Sequence, residues 1–166
     1  TDVSLAFNHA LIQLNFSAGL TTGFTYAITN ISISGVNNSG TFTYSNSIGD
    51  WTAQDGTASY AYAGDFNGTI TDNVLKLSTG SNALMLMPQT VPAGAEISIT
   101  YTATANSTNQ VTFNGTKKVA IGGVEWKKGS NICYKLILPT GAEAITYSTV
   151  VNPWGEEDSQ DKTTQP

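Results

Sequence analysis

Apolar side chains in this chain recur at every second position, in short runs separated by Gly, Asn, Asp and Pro, and no stretch keeps a helical period over three turns. A period of two marks strands with one face buried, so the chain is constrained to build sheets. Candidate strands cover 3–8, 10–17, 24–34, 41–45, 57–63, 68–71, 74–77, 83–87, 95–104, 110–113, 117–121, 131–138 and 144–151. The alternation slips twice. Val3, Leu5 and Phe7 are odd while Ile12, Leu14 and Phe16 are even, and Phe24, Tyr26 and Ile28 are even while Ile31 and Ile33 are odd. A regular strand would turn half of each set toward water, so each slip predicts a β-bulge or a strand passing between two sheets. His9, the single histidine, is expected in the first bulge, Asn8-His9-Ala10, with its ring in a local hydrogen bond.

The turn residues divide the strands further. Asn114-Gly115 in "QVTFNGTKKVAI" predicts a type I′ hairpin between Val111/Phe113 and Val119/Ile121, and Asn67-Gly68 and Asp55-Gly56 mark other turns. Pro88 ends "ALMLM", which lacks polar alternation and is expected to be buried on both faces; Pro153 stops the last strand before Trp154. Strands of this number and spacing predict an all-β fold, a two-sheet antiparallel β-sandwich. At 166 residues the chain is read as one domain, 1–154, followed by a disordered acidic tail, 155–166.

Only 11% of residues are charged, and much of the net charge of −5 lies in that tail, where Glu156, Glu157, Asp158 and Asp161 face Lys162. The chain has no arginine, and its basic doublets, Lys117–Lys118 and Lys127–Lys128, read as solvated turn positions, so nucleic acid is excluded as a partner. A single cysteine, Cys133, precludes an internal disulfide and leaves the compartment open. The longest clean apolar run, Ala83 to Met87, is too short for a transmembrane segment. Thr1 opens directly into a strand pattern, which reads as a cytosolic start or a processing boundary.

Catalytic machinery is hard to assemble from these residues. A nucleophilic triad needs a base beside an activated Ser or Cys, yet His9 is the one imidazole and Cys133 lies in the alternating run "NICYKLIL", on the face opposite Ile132, Tyr134, Leu136 and Leu138. One His and one Cys do not make a zinc site, "DFNG" (Asp65–Gly68) lacks the later acid of a calcium loop, and the turn acids Asp50, Asp55, Asp65 and Asp72 form no catalytic pair. The reading is therefore no enzyme, no catalytic residue, no cofactor and no metal. Trp51, Tyr60, Tyr62 and Trp126 either plug the ends of the core or stack on sugars, which leaves a secreted or surface-anchored carbohydrate-binding module as the alternative function.

Five segments in order, "VSLAFNHALIQLNF", "ITNISISGV", "LMLMPQTV" with "EISITYTA", "VEWKKGSNICYKLIL" and "ITYSTVVNPW", resemble the fimbrillin (Mfa-like) family of pilus subunits from Bacteroides-type bacteria. The matching positions are Phe7, His9, Ala10 and Leu11; Pro88 and Gln89; Trp126, Gly129 and Tyr134; and Trp154. The resemblance implies a structural role for these residues, a transthyretin-like Greek-key topology, and a structural or adhesive subunit of a cell-surface fimbrium. It implies other pilin subunits as partners by strand addition, and a host or bacterial surface ligand, glycan or protein. Family members have a lipoprotein signal and an amino-terminal β domain, so the chain is expected to be the carboxyl-terminal domain of an outer-membrane-associated parent.

Overall fold

A computed structural model describes residues 9–45 and 48–154. Val3, Leu5, Phe7 and the acidic tail lie outside the described residues, so the upstream half of the first parity slip does too. Among the described residues there is no helix, and none is therefore long and apolar enough to cross a membrane.

The larger sheet holds six strands. Its central strand is β1 (Ile12–Gly19), flanked on one side by β13 (Ser130–Ile137) and then β14 (Thr146–Pro153). The other side of β1 is shared: its first half pairs with β8 (Leu84–Leu86) and its second half with β7 (Val74–Lys76), which pairs in turn with β6 (Ile70–Thr71). The smaller sheet runs β11 (Gln110–Ala120), β10 (Glu96–Ala105), β2 (Phe24–Val36), β5 (Ala58–Ala61). Two ribbons complete the fold, β3 (Ser39–Ser45) with β4 (Ile48–Asp55), and β9 (Gln89–Thr90) with β12 (Glu125–Trp126). Ile12, Leu14, Phe16, Ile132, Tyr134 and Leu136 from the larger sheet join Ile31, Ile33, Ile97, Ile99 and Tyr101 from the smaller one in a single buried cluster.

The sheets are not purely antiparallel, contrary to expectation. β1 and β13 run parallel, in register from Gln13↔Asn131 to Gly19↔Ile137. Parallel neighbours need a long crossover, and nearly the whole chain between Gly19 and Ser130 supplies it. β1 is buried along nearly its whole length, on both faces. On the face away from the core, Asn15 donates to Asn131 (Nδ2 to Oδ1, 3.1 Å) and the Cys133 thiol donates to Ser17 (3.8 Å), so the buried polar groups are partnered. Cys133 is thus on the face opposite Ile132, Tyr134, Leu136 and Leu138, as its alternation requires.

The second parity slip is a bulge. Across β2 and β10, Asn30 pairs with Thr100 and Ile28 with Tyr101, so Thr29 is the extra residue, and both Ile28 and Ile31 reach the core. β2 slips again against β5 between Ser34 and Val36, at Gly35 with φ +76°, and this second step turns Val36 inward after Ile33. At the first slip, His9–Leu11 form no strand and precede β1.

Two other expectations fail. Asn114-Gly115 makes no hairpin: β11 is continuous, with Asn114 opposite Thr102 and Gly115 opposite Tyr101. The chain reverses instead between Ala105 and Gln110, where Asn109 takes φ +54°. Phe113, Val119 and Ile121, which face the core, keep odd parity throughout, so an unbroken strand satisfies them, and the Phe113 ring packs beside Tyr101 (4.7 Å between centroids). In "ALMLM", Leu86 and Met87 are buried but Met85 is 48% exposed, because β8 is a short strand paired only with β1.

Gly35 yields a direct test. A Cβ there would lie 2.9 Å from the Ala95 Cα and 3.0 Å from the Gly94 carbonyl, on a backbone that L side chains rarely adopt. Gly35→Ala is expected to destabilise the protein by about 1–3 kcal/mol in urea denaturation; an unchanged midpoint would show that the bulge is not needed.

Candidate functional site

The residues that carried the family resemblance gather around the start of β1 and β13. Gly129, at φ +74°, is the joint: its N–H donates to the Leu11 carbonyl (3.0 Å) and its carbonyl accepts from the Trp154 N–H (2.8 Å). The positive φ lets one residue face the chain before β1 and the chain after β14 together, which explains the glycine. The His9 ring stacks on Trp154, 4.0 Å between centroids and 6° from parallel. Among the described residues the His9 ring thus meets a ring distant in sequence. The Ala10 carbonyl accepts from the Trp51 indole N–H (2.7 Å), tying β4 to the same joint.

A second group lies beside it. The Gln89 amide reads the backbone of Asn37 from both ends, accepting from its N–H (2.8 Å) and donating to its carbonyl (3.2 Å), with a further donation to Met87 (3.2 Å). Gln89 pairs with Trp126 across the β9–β12 ribbon. The Trp126 indole, 1% exposed, donates to the Tyr134 hydroxyl (3.0 Å) on β13. The Pro88 carbonyl accepts from the Gln54 amide (2.7 Å). Phe7 lies outside the described residues.

Burial dominates the electrostatics here. It pushes the Tyr134 phenol up to about 12, with the Trp126 hydrogen bond opposing and Tyr147 adding a smaller push. Burial, then Tyr26 and Glu143, also raise Tyr101, whose hydroxyl donates to the Pro139 carbonyl (2.7 Å). Among the described residues no group of three or more His, Cys, Asp or Glu side chains is placed to hold a metal ion. Asp65 is occupied by its own turn, its carboxylate accepting from the Asn67 N–H (3.1 Å) and its carbonyl from Gly68 (3.3 Å).

Several partners here were not legible in the sequence. Asn37 and Gln54 gave no pattern to read, Lys128, read as part of a solvated doublet, is part-buried and donates to the Gly49 carbonyl, and β4 was missed because "GDWTAQD" does not alternate. Of the aromatics, Trp126 and Tyr62 are core residues, whereas Trp51 is half-buried at the surface.

The sequence pattern of fimbrillin-like proteins matches residues 1–154. The chain belongs to the fimbrillin-like family. Among solved structures, a fimbrial protein from Bacteroides vulgatus superposes with a TM-score of 0.61 at 17% identity, over 89% of this chain and 55% of that one. A protein assigned to cell adhesion from Bacteroides uniformis gives 0.51 at 17% identity, over 92% of this chain and 53% of that one. This fimbrillin-like chain therefore spans about half the length of either structure. No curated protein matches it.

The buried phenols predict the alkaline behaviour of the fold. Between the ordinary phenol value of 10.0 and about 12, unfolded chains release a proton that Tyr134 retains when folded. Stability is therefore fully present below pH 10 and falls as pH rises through that window. Urea denaturation from pH 9 to 12 should show the decline, and Tyr134→Phe should make it shallower; an identical slope in the variant would remove Tyr134 from the account.

Proposed function

We propose that this chain is the carboxyl-terminal domain of a structural or adhesive pilus subunit. In this reading it is a two-sheet β-sandwich of transthyretin-like Greek-key topology, residues 1–154 with an acidic tail, that joins other subunits by strand exchange. The parent protein would be a lipoprotein precursor, exported to the outer membrane and displayed on the cell surface. The observation that carries the reading is family membership over residues 1–154. Coverage of about half of two longer relatives agrees with a one-domain share of the parent.

The physics of assembly fits as well. β14 and β11 stand at the ends of their sheets, and each presents an exposed valine, Val151 (59%) and Val111 (55%). An end strand offers a row of main-chain donors and acceptors to an added strand, and alternate side chains supply specificity. The family-motif residues then serve as structure, with Gly129, Trp154 and Leu11 holding the ends of β1, β13 and β14 together beneath any added strand.

Assembly is testable on the parent subunit. After export and processing it is expected to form polymers visible by negative-stain electron microscopy and as a ladder in unboiled denaturing gels. Proline introduced at Thr149 in β14 or at Thr112 in β11 should abolish the ladder on whichever edge is used, while thermal melts report retained folding. A processed subunit that stays monomeric at all concentrations would overturn the reading.

A further inference from the structure

The β3–β4 hairpin and the β9–β12 ribbon enclose an open cleft of about 270 Å³, lined by Asp50, Trp51 and Gln54 on one side and by Thr90, Glu125 and Lys127 on the other. We propose that this cleft binds a neutral saccharide of one or two units.

Three features of the hairpin point there. First, the ladder shifts between Ser39/Asp55 and Thr41/Thr52, so Ala53 and Gln54 together oppose Gly40, and Ala53 takes φ +48°. Bulges re-aim side chains, and a non-glycine residue at positive φ is a strained position retained where the surroundings enforce it. Here the extra residue brings Gln54 to the same cleft as Trp51, and the Gln54 amide is anchored on the Pro88 carbonyl.

Second, the aromatic surface continues beyond the cleft. Phe42 lies directly opposite Trp51 (5.2 Å between centroids), and Tyr44, two residues on, shares that face. Phe42 is 41% and Tyr44 71% exposed, so three rings crowd one face of a ribbon that contributes little to the main core. Ring faces of this kind stack on the C–H faces of sugars while polar neighbours bond their hydroxyls.

Third, the polar lining suits hydroxyls better than ions. A sugar hydroxyl both donates and accepts; Asp50 and Glu125 accept, Lys127 donates, and Gln54 and Thr90 do both. The charges are balanced and partly engaged, since Lys128 donates to the Gly49 carbonyl and Lys127 sits 3.8 Å from Glu125. An anionic sugar would meet two carboxylates against one available cation, Lys127, itself shared with Glu125. The far wall is pre-formed, because Gln89 is locked on Asn37 and the buried Trp126 on Tyr134, which limits the ordering cost of binding. The volume sits just under the ~300–1,000 Å³ range of small-molecule pockets, hence the limit of one or two units.

The test is a printed array of neutral and sialylated mono- to tetrasaccharides probed with the full chain, followed by calorimetric titration of the best neutral glycan. Binding to neutral glycans is expected, with Asp50→Asn and Glu125→Gln each weakening it about tenfold and Asp72→Asn, away from the cleft, leaving it unchanged. Trp51 also holds Ala10, so the two exposed carboxylates carry the test and Trp51→Phe, checked by thermal melting, adds to it. A silent array, binding confined to sialylated glycans, or affinity unaltered in both carboxylate variants would overturn the proposal. Polymer formation is scored separately, so failure here leaves the pilin reading standing.

Discussion

The parallel pairing of β1 with β13 is the constraint on which the rest of the molecule depends. It places a strand from the start of the chain in the middle of the larger sheet, between β13 on one side and β7 and β8 on the other. Every element from β2 to β12 must then fit inside one crossover. Because β1 is covered on both faces, its outer side carries a polar set, Asn15 and Ser17, matched by Asn131 and Cys133 on β13. Truncating Asn131 would take away the acceptor of the buried Asn15 amide, a loss that costs more than the net value of one hydrogen bond.

That pairing also sets where the family-motif residues meet. Once β1 and β13 begin side by side, the segments entering them, His9–Leu11 and Trp126–Gly129, are neighbours, and β14 returns Trp154 to the same end. Gly129 links the backbones, His9 lies flat on Trp154, and Trp126 caps the core by donating to Tyr134. A tryptophan this deeply buried needs an acceptor for its N–H, and the raised phenol beside it records the same exclusion of water. Histidine is here a flat ring in a stack.

The β3–β4 hairpin obeys different rules. It is fastened to the body by side chains, the Trp51 indole on Ala10, Gln54 on Pro88 and Lys128 on Gly49, and most of its large residues remain exposed. A ribbon held at its base by polar bonds, with aromatics on one face, is free of the packing demands that fix the two sheets. Loops and ribbons of this kind are where recognition is usually found.

What the sequence determined by itself was the class of structure and the need for bulges. Period-two alternation admits only sheets, and the change from Ile28 to Ile31 demands either a bulge or a strand passing between sheets, because side-chain facing has a period of two and half a core cannot face water; the pairing of β2 with β10 decided for the bulge. The order of Trp, Gly, Tyr and His motifs was enough to reach the family, since those residues are spaced by the architecture they hold. Strand partners were beyond it. The orientation of β1 against β13 depends on contacts across the whole chain, and local alternation is the same for parallel and antiparallel neighbours. Asn114-Gly115 reads locally as a turn, but the long exposed edge of β10 pairs with all of β11, and that ladder outweighs the preference of two residues. The cleft was invisible for the same reason: Trp51, Gln54 and Glu125 have no common pattern in sequence, and only the tertiary fold sets the hairpin against the ribbon.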